Sequence, residues 1–168
     1  MTQMSHRFVA VVVLLAIAFS TALNAQQARG GAPAEAQRAA REAALAQYAG
    51  AWNKTTEAEI VAALKTCWTP TSTYTDPSTN TTHGPVELAR AILSFHKSLP
   101  GATLKPTSGL DTHHTFGRFS WRLTMPAPVV VNGVQQPQES DGFDFIEFSA
   151  DGTKIMRIVG FFGPFPKP

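Results

Sequence analysis

The order of its two periodicities constrains this chain most: helical spacing occupies the first structured half, and period-two alternation fills the rest. From Ala34 to Asn53 an alanine-rich run free of proline repeats Leu45, Tyr48 and Trp52 at helical spacing. Thr56 and Glu59 then form a capping box ahead of an apolar stripe of Ile60, Val61, Leu64, Cys67 and Trp68, which Pro70 ends. A third helix opens at Gly84-Pro85, carries Leu88, Ile92, Phe95 and Leu99 on one face, and closes at Pro100-Gly101. Between the second and third helices, Ser72 to Asp76 reads as a short threonine-rich strand and Ser78 to His83 as a loop. Beyond Ala102 the chain reads as antiparallel strands over Ala102–Thr112, Gly117–Met125, Asp141–Ser149 and Lys154–Phe162. Turns are expected near Thr115, at Asn132-Gly133 and at Asp151-Gly152. In the second strand, alternation sends Phe119, Trp121 and Leu123 toward the helices and the arginines away. Helices first and a meandering sheet afterwards predict an α+β fold with the helices on one sheet face.

The extreme N-terminus bears on location rather than on fold. His6 and Arg7 precede an unbroken apolar run from Phe8 to Phe19, followed by the small, mostly polar stretch Ser20 to Ala25. This is the zoning of a secretory signal, and the apolar run is well short of the roughly 20 residues of a spanning helix. Cleavage after Ala25, or else Ala22, would release a periplasmic or secreted product. No cysteine directly follows either site, so no stable membrane anchor is expected. Gln26 to Pro33 reads as a disordered leader, and residues 34–168 as one domain. Removing Arg7 with the signal leaves 13 Lys and Arg against 12 Asp and Glu, scattered along the chain. That balance argues against a nucleic-acid partner. Cys67 is the only cysteine, so neither an internal disulfide nor a thiolate metal cluster is available. The Asn-x-Thr sequons at Asn53 and Asn80 matter only in a host that glycosylates exported proteins.

Several chemistries lack their motifs: there is no G-x-S-x-G elbow, phosphate-cradling glycine loop, dinucleotide fingerprint or H-E-x-x-H. His113 and His114 are adjacent, and neighbours on a regular strand point to opposite faces, so they read as a turn-flanking pair rather than a metal site. No metal or organic cofactor is expected. Three other groups are candidates for convergence. Asp76 is held extended by Pro77 and shares a strand face with Tyr74, which suits either a carboxylate beside a cavity or a cap on the following turn. Asp144 alternates with Ile146 and Phe148, but Phe143 and Phe145 occupy the opposite face, so period alone leaves both an interior and a solvated placement open. In the interior its pKa would rise. Tyr48 shares the helical stripe of Leu45 and Trp52, so its hydroxyl needs a buried partner, either a ligand oxygen or the protein itself.

With those residues in hand, the chain resembles the nuclear transport factor 2-like superfamily, in its SnoaL-like and ketosteroid isomerase-like branch, over about Ala40 to Pro164. The carriers are Tyr74-Thr75-Asp76-Pro77, His83-Gly84-Pro85, and the closing run from Asp144 to Gly152 followed by Lys154-Ile155. The resemblance implies a cone-shaped domain in which a curved antiparallel sheet wraps three helices around one apolar pocket, often dimerising through the outer sheet face. It implies an aspartate before proline that moves a proton, matched by Asp76, and a late-strand acid and a helix-one tyrosine that hold the substrate oxygen, matched by Asp144 and Tyr48. Placing Tyr48 there requires about one extra helical turn before the second helix; without it Trp52 takes the position. The lining of the pocket would then fall on Tyr74, Trp52, Trp68 and Phe95, with Phe119, Trp121 and Ile146 from the sheet. The expected function is that of an exported pocket protein for a small apolar carbonyl compound, with isomerase- or cyclase-type proton transfer. The alternative is a non-catalytic binder of the same fold. Apolar residues on both faces of Asp141–Ser149 also favour a homodimer.

Overall fold

Leu45 and Tyr48 lie on one side of helix α1 (34–51), with Trp52 just past its end, and burial of all three sets that helix against the sheet. The computed structural model describes residues 34–128, 130–135 and 137–163, so the expected signal and leader lie outside the described residues. The chain divides into residues 1–38, of which 34–38 are described and helical, and Ala39–Pro168, which carries all that follows. Among the described residues no helix is long and apolar enough to cross a membrane.

Helix α2 (Glu57–Cys67) starts at Thr56, whose Oγ1 accepts from the Glu59 amide at 3.3 Å and donates to the Glu59 carboxylate at 2.6 Å. The box therefore closes through the two side chains. Helix α3 (Gly84–Ser98) starts with Pro85 in its first turn, and Glu87 Oε2 accepts from the His83 amide at 2.8 Å. Ile60, Leu64, Leu88 and Ile92 from these helices meet Phe119, Ile146, Phe148 and Ile158 of the sheet in one core.

The strands are β1 (Trp68–Asp76), β2 (Thr79–His83), β3 (Thr103–Pro106), β4 (Asp111–His113), β5 (Phe116–Thr124), β6 (Val130–Val131), β7 (Val134–Gln135), β8 (Glu139–Phe148) and β9 (Ile155–Phe162). Seven of them form a curved, unclosed sheet in the order β2-β1-β9-β8-β5-β3, with β4 also on β5, while β6 and β7 make a separate hairpin. This is the α+β cone architecture expected, with one difference: β1 and β9 run parallel, so the sheet is mixed. Three local expectations are corrected. Pro70 lies inside β1 instead of ending α2. It is tolerated because β2 pairs only from Thr73 onward and the ladder to β9 is interrupted between Trp68 and Thr73, so no neighbour asks for its missing N–H. The expected loop Ser78–His83 holds β2, a mostly exposed edge strand whose threonines lack any apolar alternation to announce it. The expected strand Ala102–Thr112 is two strands, both on β5, separated at residues 107–110, where Ser108 Oγ accepts from the Ser120 amide at 2.8 Å.

Candidate functional site

β8 decides the placement of Asp144. Its even positions Gly142, Asp144, Ile146 and Phe148 are buried, whereas Phe143, Phe145 and Glu147 on the other face are only partly so. Asp144 is 3 % exposed, so it is an interior acid. Both oxygens are engaged: Tyr48 OH donates to Oδ2 at 3.1 Å and Trp121 Nε1 donates to Oδ1 at 2.8 Å. Burial pushes its pKa up to about 6, opposed by those two hydrogen bonds and helped by the nearby Asp76 charge. An indole N–H can only donate, so Oδ1 must accept. A proton on Asp144 therefore belongs on Oδ2, against the Tyr48 hydroxyl.

Asp76 combines the two roles its sequence context allowed. Oδ1 accepts from the Ser78 amide at 2.7 Å and from Ser78 Oγ at 2.9 Å, which is the turn cap, while Oδ2 accepts from Tyr74 OH at 2.5 Å. Burial, and then the neighbouring carboxylates, push the hydroxyls of Tyr48 and Tyr74 well above the usual phenol range. Both hydroxyls keep their protons and remain donors.

Glycine brings the two acids together. β9 lies between β1 and β8, and Gly160 is the Cα partner of Asp144. A Cβ at Gly160 would sit 3.2 Å from Asp144 Oδ1, 3.2 Å from Asp76 Cβ and 3.6 Å from Tyr74 OH. The absent side chain leaves one floor shared by both carboxylates and one tyrosine. Gly142 does the same for Trp121, since a Cβ there would overlap the indole and come within 2.5 Å of the Phe161 carbonyl oxygen.

Above this floor opens a cavity of about 810 Å³, walled by α3, β2, β3 and β5. Tyr48, Asp76 and Asp144 line it, as do Tyr74, Trp52, Phe95, Phe119 and Trp121. Trp52 packs against Tyr74 at 5.4 Å between ring centroids and edge-on to Phe95 at 5.6 Å. Of the two aromatic residues near the end of α1, it is Tyr48 whose hydroxyl meets the acid. Two expected lining residues are elsewhere. Trp68, at the start of β1, is buried behind Tyr48 with their rings stacked at 5.8 Å, and Ile146, paired with Ile158 and Gly117, is filled over by the core. His113 and His114 are both exposed at the β4–β5 turn and do not line the cavity, with their Nδ1 atoms 3.3 Å apart. Sequence reasoning missed Ser78 and Gly160, and also Arg90 and Lys105, which line the cavity. The first pair carried a usable signal, a serine in the turn after Asp-Pro and a glycine inside an apolar strand.

No family model matches this chain, and no curated protein matches it. Solved structures do. A candidate isomerase of the SnoaL-like family from Agrobacterium tumefaciens is 26 % identical, with a TM-score of 0.59 over 72 % of this chain and 95 % of the other. A candidate ketosteroid isomerase from Kribbella flavida is 18 % identical, with a TM-score of 0.52 over 77 % of this chain and 82 % of that one. An NTF2-like protein of unknown function from Exiguobacterium is 14 % identical, with a TM-score of 0.54 over 73 % and 99 % of the two chains. The fold is that of the nuclear transport factor 2-like superfamily, in the company of SnoaL-like and ketosteroid isomerase-like proteins.

Proposed function

We propose that the cavity binds a small, largely apolar carbonyl compound and moves a proton on it, as isomerases and cyclases do. Asp76 takes a proton from the carbon beside the carbonyl, the C–H electrons pass into an enolate, and protonated Asp76 returns the proton to another carbon of the same molecule. Tyr48 carries the developing oxygen charge together with Asp144. When Oδ2 of Asp144 is protonated it donates to the Tyr48 oxygen, and the Tyr48 hydroxyl becomes free to donate to the ligand. Ketosteroid isomerases follow the same logic, keeping a buried acid neutral so that it can donate to the substrate oxygen. The observation that carries this reading is the shared floor at Gly160, which sets a carboxylate beside a tyrosine–acid pair in an apolar cavity.

Proton–deuterium exchange and isomerisation across a panel of cyclic enones and β,γ-unsaturated ketones tests it. Asp76→Asn should lower turnover by at least ~100-fold while ligand binding survives. Normal turnover in that variant removes Asp76 from the role. Tight binding without turnover of any panel member favours the alternative, a non-catalytic binder. The complete set of partners around Asp76 supports that alternative, because Ser78 and Tyr74 satisfy it without any ligand.

Place and assembly belong to the same reading. The protein acts outside the cytoplasm after cleavage near Ala25, which N-terminal sequencing of exported protein would read directly. It works as a homodimer through the outer sheet face, where Phe143 stacks on Phe161 at 4.9 Å and Phe116 on Phe145 at 5.5 Å.

A further inference from the structure

The charged groups of the cavity wall are unevenly occupied. Asp144 and Asp76 hold their hydroxyl, indole and amide donors, and Glu87, the third acid of the wall, is tied to the His83 amide at the start of α3. The two cations of the same wall are Arg90 on α3 and Lys105 on β3. Both are exposed, which puts them on the open side of a cavity whose floor at Asp144 is buried, and neither side chain has a hydrogen bond or ion pair among the described residues. The contrast with other arginines is plain. Arg118 pairs with Asp111, Arg122 with Asp141 and Glu139, Arg157 with Glu147, and buried Arg41 donates to the His114 carbonyl. Between the cationic rim and the acidic floor the wall is largely aromatic and aliphatic, interrupted by hydroxyls such as those of Ser94, Ser98 and Ser140. A ligand that fits all three zones has a neutral oxygen at one end, an apolar body, and a negative charge at the other.

We infer that the ligand of this cavity is an amphiphilic anion whose carboxylate-like oxyanion is held at the open side by Arg90 and Lys105 while its uncharged oxygen reaches the floor. This rests on the cavity being the substrate site and adds the charge of the substrate to that reading. Arg90 supplies a planar fork of donors matched to an oxyanion, and Lys105 a mobile point charge. Neither side chain touches the proton-transfer groups, so the pair sets specificity and affinity rather than chemistry.

Two fluorescent probes with the same apolar body separate charge from hydrophobicity: 1-anilinonaphthalene-8-sulfonate, an anion, and N-phenyl-1-naphthylamine, which is neutral. The anion should bind at least ~10-fold tighter at low ionic strength, with the gap narrowing in about 0.5 M salt, where the screening length is roughly 4 Å. Arg90→Gln with Lys105→Gln should weaken the anionic probe by about tenfold or more and leave the neutral probe within about twofold. Lys65→Gln with Lys97→Gln removes the same charge from exposed sites outside the cavity wall and should change neither. Equal affinity for the two probes, failure of both to bind, an equal effect of the Lys65/Lys97 variant, or joint loss of both probes in the Arg90/Lys105 variant would each overturn the inference. Turnover of neutral ketones stands apart from these readouts, so failure of the proposed chemistry and failure of charge recognition are distinguishable.

Discussion

Asp144 is the residue at which the proposed function and stability oppose each other. In the unfolded chain an aspartate ionises near pH 4, whereas in the fold burial holds Asp144 at about 6. Between those values the folded state binds the extra proton, so this stabilising contribution is complete below pH 4 and is lost as pH rises through 6. The loss amounts to about 3 kcal/mol at neutral pH. Asp144→Asn keeps an acceptor for Trp121 and offers Tyr48 an N–H, so the variant should melt above the parent at pH 8, with the gap closing toward pH 4.5. A parent whose melting temperature relative to the variant stays flat over that range would show that the acid is not desolvated. Activity should divide the other way: Asp144→Leu, which removes the partner of both Tyr48 and Trp121, should lose more turnover than Asp144→Asn, and Tyr48→Phe should match Asp144→Leu.

At the scale of elements, the site is a property of three neighbouring strands, and Gly160 in the middle one leaves the room between their acids open. Gly160→Ala puts a methyl group into the floor, where approaches of 3.2 Å to both aspartates require each to give by a few tenths of an ångström. Thermal unfolding should shift by no more than about 1 kcal/mol, while proton exchange on the ketone panel should fall at least ~10-fold through misplacement of the acids. An unchanged exchange rate would mean that the two acids act independently. How far this was readable from sequence depends on whether a residue's neighbour is near it along the chain. Alternation in β8 and β5 left Asp144 with two possible faces and pointed Trp121 inward. The hydrogen bond between Trp121 and Asp144 spans 23 positions and needed the strand register. Thr56 and Glu59, Tyr74 and Asp76, and Gly84-Pro85 are local pairs, and their geometry was legible. β2 was not, because an edge strand exposed on most of its length obeys no hydrophobic period. Asn53, noted only as a sequon, uses its amide to bond the Leu104 backbone at 2.8 and 3.1 Å, a contact across 51 positions that no local pattern contains.

For the molecule as a whole, the outer sheet face bears on assembly. Phe161 is 44 % exposed and stacks on Phe143, an arrangement that leaves aromatic area in water unless something covers it. Light scattering should report twice the chain mass, and Phe161→Glu, which touches an exposed position, should give a monomer that keeps the cavity. A strict monomer of the parent protein at micromolar concentration would remove the dimer from the proposal. The parallel pairing of β1 with β9 has a different consequence, for the time course of folding. β9 is the last strand of the sheet and lies between β1 and β8, and Ser72 in β1 donates to the Ile155 carbonyl 83 positions away. Contacts of such separation must close a long loop before they contribute anything, which slows folding. Until β9 has been made and inserted, Asp76 and Asp144 sit on strands with no common neighbour. A chain built in this order cannot complete its sheet before Ile155–Phe162 has been made, so the two acids come together late in synthesis.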